Sequence, residues 1–349
     1  MNTLPLRDLW IDLWPDYRPT RLLELPALAR LTGVGRVFVK VEGDRPLGSF
    51  KSLGGMIAGL RALAKVAGTN NLRELCSPAA CRVLPRLICA SEGNHGLSVA
   101  AAAKKACTKA LVYLPVGVSE ARADRIKAVG GEIVWISGTY DDAVLAAEAA
   151  AAQSDGLLIP DTSADPNAAV VADVMAGYGL LAQELVQQFN DDVRDRPTHL
   201  FVQAGVGGLA AAMVEGLDAL LQAPKKFLIV EPESAACVAR ALSAGEPVRI
   251  DDDLQTSAEM LACGVASAPA LRILQRYPVH SILVPEAELK MAAVGLRNVG
   301  GPHTSPSGAA GLAGLLRSAA RPELRTAHAL ESTSVVLLIA TEAGSSPAT

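Results

Sequence analysis

Short apolar runs alternate with longer amphipathic stretches from about Leu87 onward, and this alternation predicts βαβ units and a parallel sheet. LICA (87–90) reads as a strand and NHGLSVAAAAKKA (94–106) as the helix after it. ALVYLP (110–115), SEARADRIKAV (119–129) and EIVWIS (132–137) repeat the pattern. Thr139 then stands three residues before Asp142, ahead of AVLAAEAAAAQ, which is the spacing of a capped helix start. A second series follows a long helix over about 167–189: THLFVQA (198–204), a helix from Gly207, FLIVEPE (227–233), a helix from Ser234, and SVVLLIAT (334–341). The early strand RVFVKVE (36–42) finds its natural partners in this second series. The expectation is an α/β protein of two open twisted-sheet lobes, a larger one from 1–65 and 181–349 and a smaller one, 66–180, inserted into it. GTNNLRELCSPAACRV (68–83) is turn-rich and reads as a surface excursion.

Length agrees with two lobes, because single cores usually stop growing near ~250 to 300 residues and this chain has 349. Half of the residues are hydrophobic and the mean hydropathy is +0.28, yet no uninterrupted apolar run approaches the ~18 residues of a membrane span. A soluble, cytoplasmic protein is expected. The opening MNTLPLRDLWIDLWPDYRP carries Asp8, Asp12 and Asp16 and lacks the layout of a secretory signal, so it reads as mature protein. Cys76, Cys81, Cys89, Cys107, Cys237 and Cys263 form no C-x-x-C pair and are read as reduced thiols. No metal-ligand spacing is found. Lys and Arg total 32 against 36 acids with the signs interspersed, which excludes a basic tract for nucleic acid or anionic lipid. A small-molecule partner is expected.

Ligands of open α/β sheets bind beyond the carboxyl ends of strands, which directs attention to three loops. LGSFKSLGG (47–55) places a single amine, Lys51, among small residues just after a strand. SEGNHGLSVA (91–100) lies between strand and helix; by itself it reads as a capped helix with Asn94 as N-cap, or as an anion site at a helix start. QAGVGGLAAA (203–212) is again strand, glycine turn, helix, and suits a phosphate. GVGGLA also fits G-x-G-x-x-A, with Glu231 about where a ribose-binding acid belongs, so a nucleotide-binding module is an alternative. Lys51 alone is compatible with a surface charge or a phosphate ligand. All three loops together suit an aldehyde cofactor that condenses with Lys51 while the glycine turn holds its phosphate: pyridoxal phosphate.

GSFKSLGG, SEGNHG, PTHLFVQAGVGGLAAAM and VEPESAACVARAL resemble the fold-type II pyridoxal-phosphate enzymes, the tryptophan synthase β-like group, and within it the diaminopropionate ammonia-lyases. The resemblance covers about residues 18–345. YDDA (140–143) and DTS (161–163) also point to the lyase branch. It implies that Lys51 carries the cofactor beside Phe50, that Asn94 meets its phenolic oxygen, and that Gly205, Val206, Gly207 and Gly208 bind its phosphate. Ser91, Gly93 and His95 would contact substrate. Asp161 and Glu92 resemble the lyase's two bases for opposite enantiomers, although Glu92 is one methylene longer than the aspartate there. A hydroxyl meets the ring nitrogen in such enzymes. Thr341, at a strand end, is preferred over Ser307 in SPSGAAG because a strand terminus aims a side chain rigidly. The implied reaction is elimination from 2,3-diaminopropionate to pyruvate and ammonia by a homodimer. Departures at GGPHTSPSGAAG (300–311) and in the tail TEAGSSPAT leave a serine/threonine dehydratase or a β-replacing synthase as alternatives. His303, alone in its Pro/Ser loop, reads as solvated.

Overall fold

The computed structural model describes residues 10, 14, 17–77, 83–191, 195–251 and 253–344. Asp8, Asp12, Asp16, Cys81 and the final five residues of the tail lie outside the described residues. The strands in chain order are β1 (Leu22–Glu24), β2 (Arg36–Val41), β3 (Leu87–Ala90), β4 (Ala110–Pro115), β5 (Gly131–Ile136), β6 (Leu157–Leu158), β7 (His199–Gln203), β8 (Lys226–Pro232), β9 (Val279–Val284) and β10 (Val335–Ala340). The chain divides into two compact units, one of Met1–Arg18 with Lys51–Leu180 and one of Pro19–Phe50 with Leu181–Thr349.

The unit containing Pro19–Phe50 and Leu181–Thr349 is built on a six-stranded sheet in the order β1-β2-β10-β7-β8-β9. All neighbours are parallel except the β1–β2 pair. β2 lies beside β10, so the early strand does find its partner in the later series. β7, β10 and nearly all of β2 and β8 are buried, as strands covered on both faces must be. The core beneath them joins Val37, Val39, Phe201, Leu228, Val230 and Leu338 to Ala309, Leu312 and Leu315 of the Pro306–Ala320 helix.

A closed ionic cluster sits inside this unit. Lys40 Nζ donates to Glu184 Oε2 at 2.7 Å and to the Thr20 carbonyl at 2.9 Å. Arg45 reaches Glu184 Oε1 at 2.6 Å and Glu42 Oε1 at 2.7 Å. Both cations and both carboxylates are buried. The charges cancel, which is what allows such groups inside a protein at all. Burial raises the Glu184 carboxyl, but hydrogen bonds and charge from Arg45 and Lys40 outweigh it and hold it below the usual range.

The other unit carries a parallel sheet in the order β5-β4-β3-β6. Thr139 and Asp142 form the anticipated reciprocal cap of the Tyr140–Ala152 helix. Trp10 is fully buried and stacks on Trp14 with ring centroids 4.5 Å apart, so that aromatic pair packs within the unit. Of the turn-rich 68–83 stretch, Leu72–Leu75 is a short helix and 78–82 lie outside the described residues.

Several elements differ from the sequence expectation. Lys51 does not sit in a loop but is the first residue of a helix, Lys51–Val66. Its glycines serve packing: a Cβ at Gly54 would lie 2.5 Å from the ring of Tyr178. SPSGAAG, to which the sequence pattern assigned no element, opens a helix that Ser305 caps through Gly308 N–H at 3.0 Å. The helix expected from Ser234 begins at Cys237, after a short 3-10 turn.

Candidate active site

Within the Lys51–Leu180 unit, two polar side chains converge on Asp161, with His95 and Tyr178 in its electrostatic surroundings. Lys51 Nζ donates to Asp161 Oδ2 and Tyr140 Oη to Asp161 Oδ1. Asp161 follows β6 and is only 7% exposed, whereas the Lys51 side chain is 22% exposed. Burial pushes the Asp161 carboxyl up; the charge of Lys51 and the hydrogen bonds from Lys51 and Tyr140 more than reverse this and hold it well below the usual carboxylate range. Tyr178 lies across the Lys51–Val66 helix, and burial pushes its phenol up to about 12.

The SEGNHG loop lies next to this cluster in the same unit. Ser91 is buried and its Oγ accepts from Gly93 N–H at 2.9 Å and Gly96 N–H at 2.8 Å. The hydroxyl of Ser91 therefore caps the Asn94–Lys105 helix, not Asn94, which is the first helical residue and half-buried. Gly93 has φ 134°, a conformation suited to glycine, and the side chain of Arg122 lies against it. Glu92 is half-buried. His95 is 3% exposed, and its Nε2 lies 2.8 Å from the Ile159 carbonyl. Burial lowers its pKa, so the ring is neutral, donates from Nε2, and leaves a bare acceptor at Nδ1.

In the Pro19–Phe50 and Leu181–Thr349 unit, the glycine turn follows β7. Gly207 has φ 98° and stands at the N-cap of the Gly208–Leu217 helix, which no side chain caps. The helix's first N–H groups thus remain available to an anion. A Cβ at Gly205 would come within 3.1 Å of both Cys263 Sγ and the Met260 carbonyl, so any side chain there would make these neighbours shift. Val206 is buried and its carbonyl accepts from Ser267 N–H at 2.9 Å. Thr341, 5% exposed, directly follows β10, while Ser307 is 2% exposed in the Pro306–Ala320 helix and its Oγ accepts from Met260 N–H at 3.1 Å.

Glu231 is unavailable to a ribose. It is fully buried, and its oxygens accept from Val238 N–H at 2.7 Å and Ala239 N–H at 2.8 Å, capping the Cys237–Ala244 helix. Burial pushes its carboxyl up to about 8 against those two bonds. The nucleotide-binding alternative loses the acid it required. His303 is exposed. Among the described residues, no group of three or more His, Cys, Asp or Glu is placed to hold a metal ion.

Sequence reasoning did not single out Tyr140 or Tyr178. Tyr140 was visible only as part of YDDA, and its 21-residue separation from Asp161 hides their contact. The residue types that are present suit an aldehyde bearing a phosphate: an amine with a buried counter-ion, and an uncapped glycine-lined helix start.

A family profile described as "Pyridoxal-phosphate dependent enzyme" matches residues 13–342. The chain belongs to this family. Its cofactor is pyridoxal phosphate, and its two parallel-dominated sheets are those of fold-type II enzymes. The diaminopropionate ammonia-lyase of Escherichia coli K12 is 32% identical over 93% of this chain and 84% of its own length. A biosynthetic L-threonine dehydratase of Pasteurella multocida is 32% identical over 85% of this chain but only 52% of its own length. The crystal structure of the Escherichia coli lyase in complex with an aminoacrylate–pyridoxal-phosphate azomethine reaction intermediate superposes with a TM-score of 0.85 at 30% identity, covering 97% of this chain and 87% of that one.

Proposed function

We propose that this family member is an ammonia-lyase that converts 2,3-diaminopropionate and water to pyruvate and two molecules of ammonia. The observation that carries the reading is the buried Asp161 carboxylate held by Lys51 and Tyr140, in a chain similar to the lyase over most of its length. Lys51 would hold the cofactor, with Phe50 and Asn94 against its ring and the Gly205, Val206, Gly207 and Gly208 turn on its phosphate. When bound, the cofactor supplies the electron sink for the carbanion at Cα. Asp161 takes the α-proton of the L-substrate. Commitment of the Lys51 charge to the cofactor removes the strongest influence lowering Asp161, and burial, which raises it, remains. Ser91, Gly93 and His95 line the substrate side, and Glu92 takes the second base position, for the opposite enantiomer. A β-ammonium group leaves as neutral ammonia without a separate acid, whereas a β-hydroxyl needs a proton donor.

Thr341 is the hydroxyl for the ring nitrogen in this reading, because it directly follows β10 and a strand terminus aims a side chain rigidly. A larger lobe of 1–65 with 181–349 and a smaller lobe of 66–180 remain the proposed functional division; the compact units differ from it in grouping 1–18 and 51–65 with the residues of the smaller lobe. A cytoplasmic homodimer handling a small amino acid, with neither nucleic acid nor membrane as partner, completes the proposal. Only Ala169–Asp191, among the described helices, has the length and apolarity to cross a membrane, and over half of its most apolar window is buried in the protein. The second reading, a serine/threonine dehydratase, draws support from the dehydratase relative. A panel of diaminopropionate, serine, threonine and phosphoserine decides between them. Fastest release of pyruvate with two equivalents of ammonia from diaminopropionate is expected; dominant 2-oxobutyrate from threonine would replace the lyase by the dehydratase.

A further inference from the structure

Glu231 stands one residue from the end of β8 and is fully buried. The Cys237–Ala244 helix has Ala236 at its N-cap, a residue with no side-chain acceptor to offer. Glu231 supplies the cap from the strand instead: one oxygen accepts from Val238 N–H at 2.7 Å and the other from Ala239 N–H at 2.8 Å. These are the second and third helical residues, whose N–H groups a cap ordinarily serves. The helix so fixed meets the glycine turn at two points. Cys237 Sγ donates to the Gly205 carbonyl at 3.3 Å. The Val238 side chain lies over Gly207, where a Cβ would come 3.2 Å from Val238 Cγ2. The turn also departs beside the same strand, since Ala204 N–H donates to the Val230 carbonyl at 3.0 Å.

We propose that Glu231 is a positioning residue for the cofactor's phosphate: it fixes the start of the Cys237–Ala244 helix, and that helix holds the 205–208 turn in the shape that aims its N–H groups at an anion. This rests on the reading that the turn binds the phosphate. Gly207, at φ 98°, has no side chain to restrict its own backbone, so its shape is imposed by what packs on it. A turn held in its binding shape spares the cost of ordering it when the ligand arrives. An ionised carboxylate suits the task because it offers an acceptor to each N–H. An amide of the same outline has one oxygen and turns an NH2 group on the second N–H.

The test uses holoenzyme at about pH 9, above the value of about 8 to which burial pushes Glu231. Glu231→Gln is expected to raise the dissociation constant of pyridoxal phosphate about tenfold in equilibrium dialysis, the scale of one lost cap bond. The ³¹P resonance of the bound phosphate should shift with it. Val238→Ala keeps the N–H that Glu231 caps but removes the side chain over Gly207; it should move both readouts the same way, and it decides the matter if Glu231→Gln fails to fold. Gly207→Ala strains the turn directly and should move both. Asn71→Ala removes a two-bond cap from the Leu72–Leu75 helix of the other unit and should move neither. If it weakens the cofactor as much as Glu231→Gln does, general loss of stability explains the effect and the proposal fails. If Gly207→Ala moves the readouts while Val238→Ala or folded Glu231→Gln leaves them in place, the proposal is overturned and the phosphate reading stands. If Gly207→Ala moves neither, the phosphate reading falls and Glu231 with it.

Discussion

The main-chain N–H of Phe50 donates to the carbonyl of Thr341 at 3.1 Å. Ser49 and Glu342 form an antiparallel bridge beside it, and Ala343 N–H donates to the Gly48 carbonyl at 2.9 Å. The residue before Lys51 is thus stitched to the end of β10, at the residue proposed to meet the ring nitrogen. The two backbone hydrogen bonds that make up this bridge do not depend on side-chain identity.

Lys51 is the proposed point of attachment for the cofactor, so Lys51→Ala protein incubated with pyridoxal phosphate should lack the near-violet absorbance of the wild type and should release no keto acid. Absorbance spectra before and after borohydride reduction check this. A band that survives the substitution would place attachment at another amine.

Asp161→Asn keeps the shape of the side chain and removes its basicity. The cofactor is expected to stay bound, with an unchanged spectrum, while turnover of the L-substrate falls by ~10² or more. Tyr140→Phe removes one hydrogen bond to the same carboxylate and should cost less, about tenfold. Stopped-flow measurement of α-proton loss from deuterated substrate separates these effects from product release. Equal turnover in Asp161→Asn would remove Asp161 from the proton transfer.

The fully buried strands were the most legible elements. LICA and ALVYLP appear at their expected limits, because a strand covered on both faces is a continuous apolar run closed by polar turns. The helix carrying Lys51 was not legible, since Gly54 and Gly55 each cost about 1 kcal/mol of helix propensity and read locally as a loop. What offsets that cost is remote in sequence: Tyr178 approaches Gly54, and Ser98 Oγ lies against Gly55. The Pro306–Ala320 helix was hidden in the same way, with Gly311 set against the Phe201 carbonyl and Gly314 against Val230. Motifs marked the loops that carry chemistry. They did not show that Ser91 rather than Asn94 caps its helix, nor that Glu231 is consumed by a helix start.

Removing one member of the buried ionic cluster should be far more damaging than removing a surface pair. Glu184→Gln leaves Lys40 and Arg45 facing only Glu42, and is expected to destabilise the protein by about 3–5 kcal/mol. Arg21→Ala breaks the pair with Asp44, where the Arg21 side chain is 62% exposed, and should cost under about 1 kcal/mol. Urea unfolding at pH 7 compares the two. Similar losses would mean that the cluster is solvated in ways the static geometry hides.

Acid should weaken this protein before its carboxylates titrate, because three histidines are held neutral near one another. His199 Nε2 lies 2.9 Å from the His328 carbonyl, and the His280 and His328 rings are 6.3 Å apart. Burial lowers all three, to about 4 for His328, with Lys226 adding its positive charge. A depressed folded pKa means that the unfolded chain binds protons which the native state refuses. The stabilising contribution is therefore complete above about pH 6.5, the ordinary histidine value, and is lost as pH falls towards 4. Urea midpoints are expected to drop between pH 7 and 5 by the equivalent of about 1–3 kcal/mol. His328→Asn should flatten that dependence, since its amide can still pair with Ser318 Oγ, which His328 Nδ1 meets at 3.0 Å. A wild-type midpoint that is level across this range would show that the histidines protonate freely in the folded state.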